Sequence, residues 1–257
     1  MPRVNVNCKG FEGAYDHLNG EHSVEVPYWK FLAASLTVGF QRFGDLVSGG
    51  RHLFQHRFGL GLAGMAYLAD ENGSLRLDGS HAALDGSEKG AVSYWQGMVL
   101  AKIVAAEILG VRWLQHADAM ERRGDLIRRP ARQPRRRAHK AKGKKRGKRA
   151  DMVGKDDQDG WHVFEAKGFS SHPGKKAFRD AKEQAGMVET IENDKPMTTS
   201  ACISCLWKSP IEVIVDDPPA SGFEDWTMPN EGFWNSYYGP IAEHIRKSEF
   251  VEEDGRM

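Results

Sequence analysis

Arg149-Ala150-Asp151-Met152-Val153-Gly154 and, after the polar run Lys155 to Gly160, Trp161-His162-Val163-Phe164-Glu165-Ala166-Lys167-Gly168 are the residues on which the fold turns. Two apolar segments, Met152-Val153 and Trp161-Val163, bracket a stretch rich in Gly and Asp, the pattern of a β-hairpin with a longer loop. Side chains alternate faces along a strand, so Glu165 and Lys167 project from one face. A loop symmetric about Asp157-Gln158 sets Asp151 opposite Phe164, and a one-residue shift or bulge sets it beside Glu165. In the shifted arrangement two carboxylates and one ammonium converge on a single patch.

The flanks of the hairpin are also readable. Ser87 is placed to cap a helix starting at Glu88, along which Val92, Trp95, Val99, Ile103, Ala106 and Leu109 recur at three- and four-residue spacing, with Gly110 as a stop signal. Val111 to Leu114 leaves room for a further strand. After the hairpin, Ser171-His172-Pro173-Gly174 breaks the chain, and Lys176 to Ile191 reads as a second amphipathic helix with Ala181, Gln184, Ala185 and Val188 near one face. Thr198 to Trp207 follows as a strand, and Ile211 to Val215 as another that ends at Asp216-Asp217-Pro218-Pro219.

The pairing of Ala150-Asp151 with Glu165-Ala166-Lys167 resembles the signature of the PD-(D/E)XK superfamily, the restriction-endonuclease-like nucleases, with alanine where that family often carries proline. The resemblance spans residues 88–210. It implies an α/β fold with an αβββαβ core, and hydrolysis of phosphodiester bonds with Mg2+ or Mn2+. Asp151, Glu165 and the backbone carbonyl of Ala166 would hold the metal, and Lys167 would stabilise the attacked phosphate. Gln184 falls where several branches carry a substrate-facing glutamine. The acidic residue that the family often adds on its first helix is assigned to Glu107, with Glu88 in reserve. The same resemblance favours DNA over RNA and a setting in bacterial defence or restriction. Read without it, these residues describe an exposed hairpin with a surface Glu-Lys pair.

Charge is segregated along the chain. Residues 122–149 hold fifteen Lys or Arg and one acid, Asp125, a formal +14. The remainder holds 21 basic and 34 acidic residues, a formal −13, so the total of +1 conceals an acidic body with a basic insertion. Pro130, Pro134, Gly143 and Gly147 oppose a helix there, and few apolar residues follow Ile127. Arg135, Arg136, Arg137, Lys144, Lys145 and Arg146 are the candidate contacts to a nucleic-acid backbone, through counterion release. A solvated linker or a contact with the acidic body is the plainer reading. The rival to an enzyme is a non-catalytic nucleic-acid-binding or assembly protein that uses this arm.

The chain of 257 residues, 40% hydrophobic, suffices for one large or two small domains, expected as an N-terminal α+β extension or accessory subdomain at 1–86 and a nuclease core at 87–257. No apolar run is long enough for a membrane span, and Met1-Pro2-Arg3-Val4-Asn5 lacks the apolar stretch of a signal peptide. Three cysteines argue against a disulfide framework and for a cytoplasmic protein, with Cys202 and Cys205 as buried thiols. Pro27 to Leu53 has helical spacing, whereas Leu60 to Leu68 and Leu75 to Leu77 read as strands around the turn Asp70-Glu71-Asn72-Gly73. Gly59-Leu60-Gly61-Leu62-Ala63-Gly64 matches the dinucleotide-binding pattern but lacks the hydrophobic strand before it. His52 and His56 share a helix face without the Glu of a zinc-protease motif. The first third could serve as packing extension, homodimer surface or target-recognition element, and an activating partner protein is left open. Phe223 to Tyr238 clusters aromatics among acids, which suits packing on a sheet, and Ile241 to Phe250 reads as a closing helix.

Overall fold

The computed structural model describes residues 1–39, 50–130, 149–220, 224–229, 232–235 and 237–238. The chain opens with β1 (Arg3–Lys9), β2 (Gly20–Glu25), α1 (Tyr28–Thr37) and α2 (Gly50–Ala66), then β3 (Leu68–Glu71) and β4 (Ser74–Leu77). The long helix α3 (Gly86–Ile108) leads to β5 (Trp113–His116), α4 (Ala117–Arg123) and β6 (Ile127–Pro130). The hairpin is β7 (Met152–Lys155) and β8 (Trp161–Phe169), followed by α5 (Gly174–Ala185), β9 (Val188–Ile191), β10 (Thr198–Cys205), β11 (Glu212–Asp216) and β12 (Glu224–Thr227).

Among the described residues these strands form a mixed nine-stranded sheet in the order β3-β4-β1-β11-β10-β8-β7-β5, with β2 paired to β1, and a small sheet β6-β12-β9. β5, β7 and β8 run as an antiparallel meander, β10 lies parallel to β8, and β11 is antiparallel to β10. The protein is therefore a mixed α/β fold. Residues 1–86 supply β1 to β4 to that same sheet, through a parallel pairing of β1 with β11, and Val4, Val6 and Leu75 share one core with Val99, Phe164 and Val213.

The two faces of β8 are clad differently. Phe164 and Ala166 join Met152, Val99 and Leu100 under α3, while Val163 joins Val153, Val188 and Trp226 against the small sheet. α5 sets Ala181 and Ala185 on Ala201, Ile203 and Cys205 of β10. Each large side chain buried this fully contributes roughly 1.5–3 kcal/mol. α3 comes close to β8: a Cβ on Gly97 would stand 2.5 Å from the Gly168 nitrogen, and one on Gly168 would stand 1.8 Å from the Ser93 carbonyl oxygen. Only glycine permits this backbone contact.

Several expectations are corrected. α3 is capped by Asp85, not Ser87, because Asp85 accepts from the amides of Ser87 and Glu88 while Glu88 reaches back to the Asp85 amide in a capping box. Leu60 to Ala66 is helix rather than strand. Its glycines serve close helix packing, since a Cβ on Gly61 would meet Leu32 at 2.8 Å and one on Gly64 would meet Phe31 at 3.3 Å. The second helix ends at Ala185, and Val188–Ile191 is a strand, its apolar residues buried against β12. The basic insertion is narrower than 122–149. Arg123 pairs with Asp125, Arg128 with Asp118 and Arg149 with Glu121, so both flanks are part of the folded body. Residues Arg135, Arg136, Arg137, Lys144, Lys145 and Arg146 lie outside the described residues, as does Ile241 to Phe250. Of the aromatic stretch, Trp226 and Phe233 are fully buried, Tyr238 is exposed, and Phe223 lies outside the described residues. Cys202 and Cys205 are buried free thiols, and His52 and His56 are exposed.

Candidate active site

Register decides the geometry of the hairpin. Met152 pairs with Phe164 and Val153 with Val163, so the centre of symmetry is Gln158 and Asp151 falls opposite Glu165. The shifted alternative is the one adopted. The loop closes on Asp156, whose Oδ1 accepts the amides of Gln158 at 2.9 Å and Gly160 at 2.7 Å, with Asp159 at φ 69°. Asp156 Oδ2 faces Tyr15 Oη at 3.2 Å and His162 Nε2 at 3.2 Å, and His162 Nδ1 lies 2.9 Å from Thr198 Oγ1. Since a carboxylate only accepts, the neutral ring donates from Nε2 and accepts the Thr198 hydroxyl at Nδ1. Burial pushes the His162 pKa down, and Asp156 opposes that.

At the other end of the hairpin, the strands stop unevenly. β5 ends at His116 and β7 begins at Met152, whereas β8 runs on to Phe169. Asp151 fills the resulting step: its backbone oxygen accepts from the Ala117 amide at 2.9 Å, and its Oδ2 accepts from the Ala166 amide at 3.0 Å. A strand residue presents N–H and C=O on one edge, so the Ala166 carbonyl faces the same step.

Glu165 is wholly buried. Lys167 Nζ stands in ion-pair contact with its Oε1, yet among the described residues neither carboxylate oxygen accepts a hydrogen bond of regular geometry. Burial raises the Glu165 pKa to about 8, the adjacent Asp151 carboxylate adds to the rise, and Lys167 offsets part of it. The Lys167 side chain is 25% exposed, so it bridges the buried acid and solvent. The structure thus brings Asp151, Glu165, Ala166 and Lys167 together. Gln184 is buried on α5, the helix that packs on β8 and β10.

Glu107 is placed elsewhere. It sits at the far end of α3 in a 2.9 Å ion pair with Lys30 of α1, and the carboxylate acting on Glu165 is that of Asp151. The reserve, Glu88, is committed to the helix cap. Two residues not singled out in the sequence stand nearby. His116, at the β5 terminus, packs its ring on Gly39, and its buried Nδ1 has no partner among the described residues. Tyr94, on α3, is 46% exposed, and both Asp151 and Glu165 act on its phenol. Tyr94 lies off the apolar stripe of its helix, the only hint the sequence offers. Among the described residues no group of three or more His, Cys, Asp and Glu side chains is arranged to hold a metal. What the site offers a cation is two apposed carboxylates and a backbone carbonyl.

No family model, no curated protein and no solved structure significantly matches the chain.

Proposed function

We propose that the protein is a metal-dependent nuclease that hydrolyses phosphodiester bonds, of DNA rather than RNA. The observation that carries this reading is Glu165: a fully buried carboxylate beside a second one, with neither oxygen in a regular hydrogen bond. Lys167 offsets only part of the cost of burying this carboxylate, roughly several kcal/mol, and a proton or a further cation would balance the rest. The residues present fit a divalent ion. Magnesium or manganese, held by Asp151, Glu165 and the Ala166 carbonyl, would supply polarisation of the phosphate and an acidified water.

The protein's own groups do the rest. The Ala166 amide orients Asp151 through its 3.0 Å bond. Lys167 is paired with Glu165 yet partly exposed, which suits an ammonium that meets negative charge developing on the attacked phosphate. Gln184 is the candidate for positioning substrate from α5. The order α3-β5-β7-β8-α5-β10, with β7 antiparallel to its neighbours and β10 parallel to β8, supports the restriction-endonuclease-like reading of the core. A setting in bacterial defence or restriction rests on that resemblance alone. The basic segment between β6 and β7 favours one rival, a protein that binds nucleic acid without cutting it.

Cleavage assays with Mg2+ and Mn2+ on supercoiled, linear and single-stranded DNA and on RNA test the proposal. Wild type is expected to cut DNA and Asp151→Ala to be inactive. Lys167→Ala should lose roughly 100- to 1,000-fold in rate while keeping metal affinity. The control is the exposed Lys195→Ala, expected to match wild type. Lys155, an apparent loop lysine in sequence, is no control: it is buried, paired with Asp159 at 2.8 Å and set over the Trp161 ring. A wild type inert on every substrate, or cleavage undiminished by Asp151→Ala, would overturn the reading.

A further inference from the structure

The step beside Asp151 has a second wall, and it comes from α3. The backbone contact of Gly97 with Lys167-Gly168, and of Ser93 with Gly168, fixes the helix against the segment that follows Glu165. Tyr94 comes next in the chain after Ser93, so its Cα has little freedom relative to Lys167. Its side chain is not absorbed into the core, being 46% exposed although α3 is otherwise one of the most buried elements. Among the described residues none hydrogen-bonds its hydroxyl. Asp151, Glu165 and Asp118 act on the phenol, and the Arg57 charge opposes them. Arg57 is itself held in place, with Nη1 3.0 Å from the Val38 carbonyl and its guanidinium 5.0 Å over the Trp95 ring.

We propose that Tyr94 is a further substrate-contacting residue of this centre, its hydroxyl donating a hydrogen bond to a phosphate oxygen of the strand being cut. The inference rests on the nuclease reading and names a contact that the Asp-Glu-Lys signature does not contain. Burial and the two carboxylates push the phenol pKa up, which keeps the proton on the oxygen and makes it a donor rather than a nucleophile. The nearby Arg57 charge makes the same wall hospitable to a polyanion, and the exposed ring can reach substrate without disturbing the core. Lys167 meets Glu165 on one side and solvent on the other, so a phosphate bound there would meet its ammonium as well as the phenol.

Steady-state cleavage of a DNA duplex in Mg2+ by wild type, Tyr94→Phe, Tyr94→Ala and Asp151→Asn decides the matter, with melting temperature and Mn2+ affinity measured alongside. Loss of a hydrogen bond to a charged group predicts that Tyr94→Phe and Tyr94→Ala both lose roughly 10- to 100-fold in kcat/KM. Melting temperature and Mn2+ affinity should stay at wild-type values in Tyr94→Phe. A fully active Tyr94→Phe, with or without loss in Tyr94→Ala, overturns the hydrogen-bond role while Asp151→Asn remains inactive and the nuclease reading stands. An inert wild type, or an Asp151→Asn as active as wild type, overturns both together.

Discussion

Glu165 is the residue on which the chemistry and the stability meet. Its pKa in the fold, about 8, lies above the ordinary carboxylate value of 4.5, so its contribution to stability is complete below about pH 4.5 and is lost as the pH rises through about 8. Ionising it without a cation should cost the fold about 5 kcal/mol. Glu165→Gln should therefore melt near wild type at pH 4.5 but clearly above it at pH 8.5, with magnesium absent, and thermal melts across that range check it. A constant difference at all pH values would contradict the burial argument. Asp151, Glu165 and Lys167 were legible because period-two alternation and a hairpin loop constrain neighbours within a few residues. Glu107 was not, because helical spacing gives a face but not the neighbour across space: its partner is Lys30, 77 positions away. Tyr94 and His116 reach the site by the same kind of long-range approach.

At the scale of elements, α3 and the hairpin depend on each other. Gly168→Ala would drive a methyl into the Ser93 carbonyl, so a loss of at least about 2 kcal/mol and a melting temperature lower by roughly 5 °C or more are expected. Gly90, on the same helix, has open space around it, and Gly90→Ala should stabilise by about 0.5–1 kcal/mol. Equal responses in the two variants would mean that the close approach of helix and strand does not govern packing. The helices with clear stripes could be read from periodicity, and the strands 198–205 and 212–216 from their β-branched and apolar runs. α2 could not, since Gly59, Gly61 and Gly64 mimic a loop or strand until Leu32, Ser35 and Phe31 of α1 are seen against Gly61 and Gly64. β9 was hidden because Val188 and Ile191, three apart, have helical spacing and continue the stripe of the helix before them, and pairing with β12 makes the segment a strand.

For the whole molecule, the decisive long-range event is β1 pairing with β11, more than two hundred residues apart, and no local pattern announces it. Among the described residues no helix is long and apolar enough to cross a membrane. The acidic body and the basic insertion set the expected response to salt. With Arg123, Arg128 and Arg149 paired inside the fold, ten Lys and Arg remain in residues 131–148, flanked by the exposed Arg122 and Arg129. Neutralising Arg135, Arg136, Arg137, Lys144, Lys145 and Arg146 should weaken DNA binding whatever the sequence. It should also flatten the log–log salt dependence by roughly 0.9 for each phosphate that is no longer neutralised. The melting temperature should hardly move. Binding across a salt series with an unchanged slope would show that these six residues do not meet phosphate.

The central claim is that Asp151 and Glu165 together form a divalent-cation centre. Calorimetric titration with Mn2+ in two buffers of different ionisation enthalpy tests it, because a cation bound by Glu165 must displace the proton that burial keeps there. The expected result is one ion per chain, with release of close to one proton at pH 7 and almost none at pH 10. Binding should be abolished in both Asp151→Ala and Glu165→Ala. Unaltered Mn2+ affinity in those two variants, or binding with no proton released at pH 7, would contradict the assignment.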